Sequence, residues 1–244
     1  MGNTWSYDLL LPLPSNISSK TIFDIFNLTE THGYSPKHSS GTTVIWSADG
    51  LNMMQYADTE MAVKYLVEDC GLVVLWKGEV DISLTFDHFG FGEKRTIESL
   101  TPQDTFRFGK ISIGIGHFYF LEREPDRVAA AQDVYGLFVD LCRKLRPIYV
   151  YSSDEIVFEH YMQELRIHND VQERKVSSIL FWLNYFDQSY FSQIGAEVFD
   201  KMTCKVTAVE EGRFVSLYQY PWEVNLESFQ KFNEEWKSLI RDLP

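Results

Sequence analysis

Cysteine is scarce in this sequence, and its three residues, Cys70, Cys142 and Cys204, lie far apart. An odd and sparse set of this kind is not a disulfide framework, and the chain contains no Cys-x-x-Cys pair. The cysteine content therefore favours buried free thiols in a reducing compartment, and we expect a cytoplasmic protein.

Long apolar runs are also missing. No apolar segment approaches the roughly 18 residues that cross a bilayer, so no membrane span is expected. The opening residues MGNTWS match the short N-myristoylation pattern M-G-x-x-x-[ST], a pattern that also occurs by chance. The sequence leaves open whether this match is a lipidation signal or incidental.

Positive charge is in short supply. The chain holds 22 Lys and Arg residues against 35 Asp and Glu residues, a formal net charge of −13. The excess is even, because residues 1–150 contain 13 basic and 19 acidic residues and residues 151–244 contain 9 and 16. An acidic field repels phosphate backbones, which argues against nucleic-acid binding, and it favours a basic protein partner such as a toxin.

The common catalytic and cofactor motifs are absent. The segment GIGHFYF has G-x-G without the third glycine of a dinucleotide site, and neither a P-loop nor a G-x-S-x-G sequence occurs. No two histidines have the H-E-x-x-H spacing of a zinc site. The sequence therefore predicts no cofactor, metal or catalytic residue, and it favours a non-catalytic protein over an enzyme.

Two histidines define an alternative pocket. His88 continues the apolar face of one predicted strand, and His117 shares a face with the isoleucines of ISIGIGHFYFLE. If these strands pair, the two imidazoles approach each other and, with nearby carboxylates, suit an enzyme or small-ligand site. Two histidines are an incomplete zinc site, so ordinary hydrogen-bonded histidines are the competing interpretation.

The pattern of apolar residues predicts an α+β fold with a mainly antiparallel sheet built from hairpins and covered by amphipathic helices. Single strands are predicted at TWSYDLLLPLP, TTVIWS, ISIGIGHFYFLE and IYVYSS, and hairpins at LVVLWKGEVDISLTFD and CKVTAVEEGRFVSLYQYPW. Because no linker divides the chain, we expect one domain over residues 1–244, with two similar subdomains, 1–168 and 169–244, as the alternative.

Helices are predicted from a cap at Ser15 or Ser18 to about Leu28, after Asp58 to Gly71, from Asp154 to about His168, and at the C-terminus. The strongest helix prediction covers EPDRVAAAQDVYGLFVDLCRKLRP, in which six apolar residues recur at helical spacing. They are Val128, Ala131, Tyr135, Phe138, Cys142 and Leu145. Asp133 and Asp140 lie on the polar side of this helix, about 10 Å apart, as expected of a solvated surface.

The stretch ILFWLNYFDQSYFSQIG combines large apolar residues with isolated polar ones. Residues 179–186 suit a strand that is apolar on both faces. Asp187 suits the N-cap of the short helix QSYFSQIG, and Gly195 suits its end. Asn184 then lies in the middle of a buried strand, where its amide must find hydrogen-bond partners.

Three segments resemble a family of prokaryotic proteins that has no established activity. LRPIYVYSSDE resembles a proline-tyrosine segment that follows a long helix in this family, with Tyr149 and Tyr151 at its tyrosines and Val150 in place of a glycine. ILFWLNYFDQSYFSQIG and EEGRFVSLYQYPWE resemble the family's C-terminal pattern, so the resemblance covers roughly residues 127–223. Some members are identified as immunity proteins of polymorphic toxin systems, which implies a protein that binds a cognate toxin.

The sequence thus favours a non-catalytic acidic binding protein of the immunity type over an enzyme or small-ligand protein with a site around His117. The candidate contact residues are aromatic and polar groups of the C-terminal third, because such side chains anchor protein interfaces. They are Trp182, Asn184, Tyr185, Asp187, Tyr190, Tyr218, Tyr220 and Trp222. Ordinary core packing is the competing interpretation of each.

Overall fold

The structure is a computed structural model, and it describes residues 4–12, 18–47, 50–69, 71–78, 80–87, 108–116, 127–154, 167, 170–171, 173–209, 212–220, 223, 225–241 and 243. Ten strands form one antiparallel sheet, and helices cover both faces, so the α+β prediction is confirmed. The strands are β1 (Thr4–Pro12), β2 (Thr43–Trp46), β3 (Met53–Tyr56), β4 (Gly71–Lys77), β5 (Val80–Asp87), β6 (Phe108–Gly116), β7 (Tyr149–Asp154), β8 (Leu183–Asp187), β9 (Lys205–Val209) and β10 (Gly212–Ser216). The helices are α1 (Ser19–Thr31), α2 (Thr59–Asp69), α3 (Arg127–Leu145), α4 (Gln188–Ile194), α5 (Ala196–Phe199) and α6 (Leu226–Ile240).

The sheet order is β3-β2-β4-β5-β6-β1-β7-β8-β10-β9, with β1 near the middle. β1 pairs with β6 on one side and with β7 on the other, both antiparallel. The outermost strands are β3 at one end and β9 at the other, and each pairs with one neighbour among the described strands.

The two faces of the sheet carry separate cores, because successive side chains of a strand point to opposite faces. We call the face of Tyr7 and Leu9 the front face; α1, α2 and α3 cover it. We call the face of Leu10 and Tyr151 the back face; residues of α4, α5 and α6 pack on it. Of the described helices, none is long and apolar enough to cross a membrane.

Side chains at the helix ends behave largely as the sequence predicts. The hydroxyl of Ser18 accepts a hydrogen bond from the Thr21 amide at the start of α1, and Asp187 accepts one from the Tyr190 amide at 2.8 Å. Gly195 ends α4 with φ +86°, a conformation that favours glycine. The predicted N-cap and stop of the short helix are therefore confirmed.

Residues 179–182 differ from the prediction, since the strand begins only at Leu183. Two asparagine side chains make the hydrogen bonds that a neighbouring strand would otherwise make with this segment. The Asn233 amide group binds both the N–H and the C=O of Leu180, and the Asn184 amide group binds both backbone groups of Phe181. Because their hydrogen-bonding needs are met by side chains, these backbone groups need no neighbouring strand.

Candidate functional site

The predicted contact residues separate into buried and solvent-facing groups. Tyr218 and Tyr220 are half-buried, and Asp187 caps α4. The remaining described candidates pack inside the protein and are 4% exposed or less: Trp182, Asn184, Tyr185 and Tyr190. Trp222, His88 and His117 lie outside the described residues, although the two strands whose pairing the histidine pocket requires, β5 and β6, are paired.

Three of these candidates, Trp182, Tyr218 and Tyr220, line one cleft on the front face, which we call the aromatic cleft. Its floor follows a single row of the sheet, because the register aligns one residue from each of five strands. The row is Tyr7, Ser152, Leu183, Ser216 and Lys205, and its members other than Ser152 line the cleft. The first turns of α3 form one wall, through Ala131, Gln132 and Tyr135. The cleft has a volume of about 330 Å³.

The segment after β10 forms the other wall and is held by its own polar side chains. The Glu223 carboxylate accepts hydrogen bonds from the amides of Gln219 and Tyr220, both at 3.0 Å. The Tyr220 hydroxyl lies within hydrogen-bonding distance of the side-chain amides of Gln132 (3.4 Å) and Gln219 (3.0 Å). Tyr220 therefore links this segment to α3 across the cleft mouth.

The cleft contains two buried aromatic groups with polar atoms. Tyr7 stacks on Phe138 with ring centroids 4.6 Å apart, and burial raises the pKa of its hydroxyl. Trp182 meets Tyr7 edge-on at 6.2 Å. Its indole Nε1 is buried and has no hydrogen-bond partner in the described part of the chain. An unsatisfied buried donor is uncommon in proteins and calls for a physical explanation.

A second concave surface lies on the back face at the β3 end of the sheet, and we call it the edge groove. Register places Met53, Trp46, Leu72 and Thr85 in one row across β3, β2, β4 and β5. The groove of about 430 Å³ runs along β4 and β5 from this row. Its lining consists of Trp46, Ser47, Gly50, Gly71, Leu72, Val74, Asp81, Ser83 and Thr85.

The surface at the β3 end of the edge groove is apolar. Among the described residues, three of the eight exposed large apolar side chains belong to β2, β3 and the segment between them. They are Trp46 (37% exposed), Leu51 (78%) and Met53 (52%). Tryptophan and methionine are enriched in the centres of protein interfaces, and clustered exposed apolar groups mark such surfaces.

Acidic groups accompany this apolar surface. Asp81 lies inside the groove, at the end away from Trp46. Asp81 and Thr85 are four positions apart on β5, so the groove is about 13 Å long at the rise of a strand. α2 contacts β2 and β3, and it carries Glu60, Glu68 and Asp69 against one basic residue, Lys64.

A polar cluster on the central strand was missed by the sequence analysis. Asp8 is 2% exposed, and its carboxylate accepts hydrogen bonds from the hydroxyls of Ser6 (2.6 Å) and Ser112. Lys110 lies 3.3 Å from the same carboxylate. An acid within the apolar pattern of TWSYDLLLP is the signal that could have revealed this cluster. These contacts satisfy the buried charge, as a stable interior requires.

Other chemical candidates occupy structural positions. Asp133 forms an ion pair with Lys77 at 2.6 Å, and Asp140 contacts His32 at 3.1 Å and Arg143 at 2.7 Å. These contacts join α3 to β4 and to the C-terminal cap of α1. In the described residues, no three His, Cys, Asp or Glu side chains converge as metal ligands would.

The two described cysteines are weak nucleophiles at neutral pH. Burial raises the pKa of Cys142 well above its ordinary value and raises that of Cys204 to about 11. Both thiols therefore stay protonated, and the thiolate is the reactive form.

Comparison with known proteins yields no relative: no family model, curated protein or solved structure matches the chain.

Proposed function

We propose that this protein is a non-catalytic binding protein for a basic protein partner, and that the edge groove is its contact surface. The supporting observation is the pairing of an exposed Trp46–Met53 row with a groove that contains Asp81. Toxin neutralisation by direct binding, as the family resemblance implies, is the biological form that we propose for this activity.

The groove suits a long basic side chain. Leu72 and Val74 provide an apolar floor on which the methylene groups of lysine or arginine can lie. Asp81, with the hydroxyls of Ser83 and Thr85 nearby, provides acceptors for the charged head group. Because Trp46 and Asp81 lie at opposite ends of the groove, an apolar side chain of the partner can pack on Trp46 while a lysine or arginine farther along the partner meets Asp81.

The surrounding surface suits the apolar part of the same interface. Trp46 and Met53 face the solvent from adjacent strands, and truncation of such a central aromatic anchor typically costs a complex about 2 kcal/mol or more. Because β3 is the outermost of the described strands, a segment of the partner can also lie alongside the edge that no described strand pairs with.

The net negative charge of the protein favours a basic partner. With a net charge of −13, two copies of this chain repel each other, whereas a basic protein is attracted and guided to the surface. Asp81 places one negative charge inside the groove, while the acidic residues of α2 lie on the front face behind β2 and β3. A basic partner is therefore favoured over self-association at this edge.

A site-specific crosslinking experiment tests the proposal. A photoreactive amino acid replaces Met53, the protein is irradiated in the cells that produce it, and crosslinked proteins are identified by mass spectrometry. Val206 on β9 is the matched control, because it is 38% exposed on the strand at the opposite end of the sheet.

We expect position 53 to capture one protein with a net positive charge, and position 206 to capture none. Replacement of Asp81 by asparagine in the same protein should reduce the yield at position 53, because it removes the charge that the basic head group meets. Equal capture at both positions, or an acidic protein as the dominant product, would contradict the proposal.

A further inference from the structure

The aromatic cleft lies near the β9 end of the sheet and on the front face, so it is separate from the edge groove in both position and direction. Its volume of about 330 Å³ falls within the range of small-molecule sites. Its lining combines aromatic and aliphatic side chains with five polar ones, which are Gln132, Lys205, Thr207, Ser216 and Gln219.

The polar groups of the cleft indicate a ligand that accepts hydrogen bonds. Trp182 is 4% exposed, lines the cleft, and carries an indole Nε1–H without a partner among the described residues. An indole N–H can only donate, so it is satisfied only by an acceptor. This nitrogen is shielded from solvent, so a ligand oxygen reaches it when a side chain of the cleft wall rotates on binding. Burial also raises the pKa values of Tyr7 and Tyr135, which keeps their hydroxyl groups neutral and able to donate.

The charge of the cleft is opposite to that of the protein. Among the described lining residues, Lys205 is the one with a charged side chain at neutral pH. The nearby Glu223 carboxylate is bound to the amides of Gln219 and Tyr220 in the adjoining wall. In a chain with a net charge of −13, a binding surface whose lining contributes a single positive charge is suited to an anion.

From these features we infer that the aromatic cleft binds a small planar carboxylate, with its ring between the tyrosine side chains and its carboxylate toward Trp182 and Lys205. Flat rings pack well against the aromatic walls. This site goes beyond the proposed partner binding and is independent of it, because the two surfaces share no described residue.

Isothermal titration calorimetry of the purified full chain tests the inference with four probes of similar size. Benzoate and 4-hydroxybenzoate carry the expected carboxylate. Benzyl alcohol removes the charge, and phenyltrimethylammonium reverses it. We expect saturable 1:1 binding of at least one carboxylate, and at least about tenfold weaker binding of the neutral and cationic probes, because hydrogen bonds to charged groups are the stronger ones.

Two variants assign the binding to the cleft. Trp182→Phe keeps a ring and removes the N–H, and Lys205→Gln removes an exposed charge with little risk to folding. Each should weaken binding of the carboxylate about tenfold. Trp76→Phe is the matched control, because Trp76 Nε1 is also buried without a described partner but lies outside the cleft.

Several results would overturn the inference: no saturable binding of either carboxylate, tighter binding of phenyltrimethylammonium, or unchanged affinity in both cleft variants. None of these results affects the crosslinking outcome at position 53. Failure here is therefore distinguishable from failure of the proposed function.

Discussion

The hydroxyl of Tyr149 donates a hydrogen bond to Oδ1 of Asn184 at 3.0 Å, in the fully buried layer between β7 and β8. The same oxygen accepts the Phe181 N–H at 3.1 Å, and Nδ2 of Asn184 donates to the Phe181 carbonyl at 2.8 Å. The Asn184 amide group thus forms hydrogen bonds with the Tyr149 side chain and with both backbone groups of Phe181, which lies outside strand β8.

Replacement of Asn184 by leucine should destabilise the protein by about 3 kcal/mol, because it leaves the Tyr149 hydroxyl and both Phe181 backbone groups unpaired in the interior. Tyr149→Phe, which removes one hydrogen bond and leaves the other two, should cost about 1 kcal/mol. Urea unfolding followed by circular dichroism gives both values. A loss below about 0.5 kcal/mol for Asn184→Leu would show that the network contributes little.

Replacement of Asp187 by alanine should lower the free energy of unfolding by about 1 kcal/mol, because the first turn of α4 loses the acceptor for the Tyr190 amide. Asp187→Ser should recover most of this loss, since serine is also a good N-cap. Asp200→Ala, at an exposed position after α5, serves as the control and should be neutral. If Asp187→Ser is as unstable as Asp187→Ala, loss of the N-cap hydrogen bond does not explain the lower free energy of unfolding.

Stability should fall in alkaline solution partly through Tyr190. Burial raises the pKa of its hydroxyl from 10.0 to about 12, so the folded protein favours the neutral form. This contribution is complete below pH 10, the value for the unfolded chain, and is lost as the pH rises from 10 to 12. Denaturation at pH 9, 10, 11 and 12 should therefore show a shallower decline for Tyr190→Phe than for the parent protein. Identical slopes would contradict the assignment.

Cys142 and Cys204 should react slowly with iodoacetamide at pH 8 in the folded protein. Since the pKa of Cys204 is about 11, its thiolate fraction is about one in a thousand at that pH, and Cys142 is buried as well. Unfolding in urea should raise both labelling rates at least about tenfold, and peptide mapping distinguishes the two sites from Cys70. Equal rates in the folded and unfolded states would show that the thiols are accessible.

Local sequence patterns predicted individual helices and strands well, but not which face of a helix is buried or which strands are neighbours. The helix over residues 127–145 follows from its periodicity, yet Val128 and Tyr135 are 38% and 36% exposed. The buried stripe instead includes Val134, Leu137 and Leu141, because the helix is turned toward a sheet whose position the periodicity of one segment does not determine. The sheet order was likewise beyond local patterns, since β1 pairs with strands more than 90 residues away.

Both concave surfaces depend on pairings that local patterns do not determine: the aromatic cleft on the pairing of β1 with β7, and the edge groove on that of β2 with β4. Trp46 and Asp81 reach one groove only because β2, β4 and β5 are neighbours. Of the aromatic residues predicted as contacts in the C-terminal third, Trp182, Tyr218 and Tyr220 do share a cleft. Local patterns do not distinguish them from Tyr185 and Tyr190, which are also aromatic but are buried in the packed interior.

The affinity of the partner captured at position 53 for purified variants tests the central proposal most directly. Trp46→Ala should raise the dissociation constant about thirtyfold, the equivalent of about 2 kcal/mol for a central aromatic anchor. Asp81→Asn should weaken binding and make it less sensitive to salt, whereas Val206→Ala at the opposite edge should leave it unchanged. A dissociation constant for Trp46→Ala within twofold of the parent value would contradict the assignment of the edge groove as the contact surface.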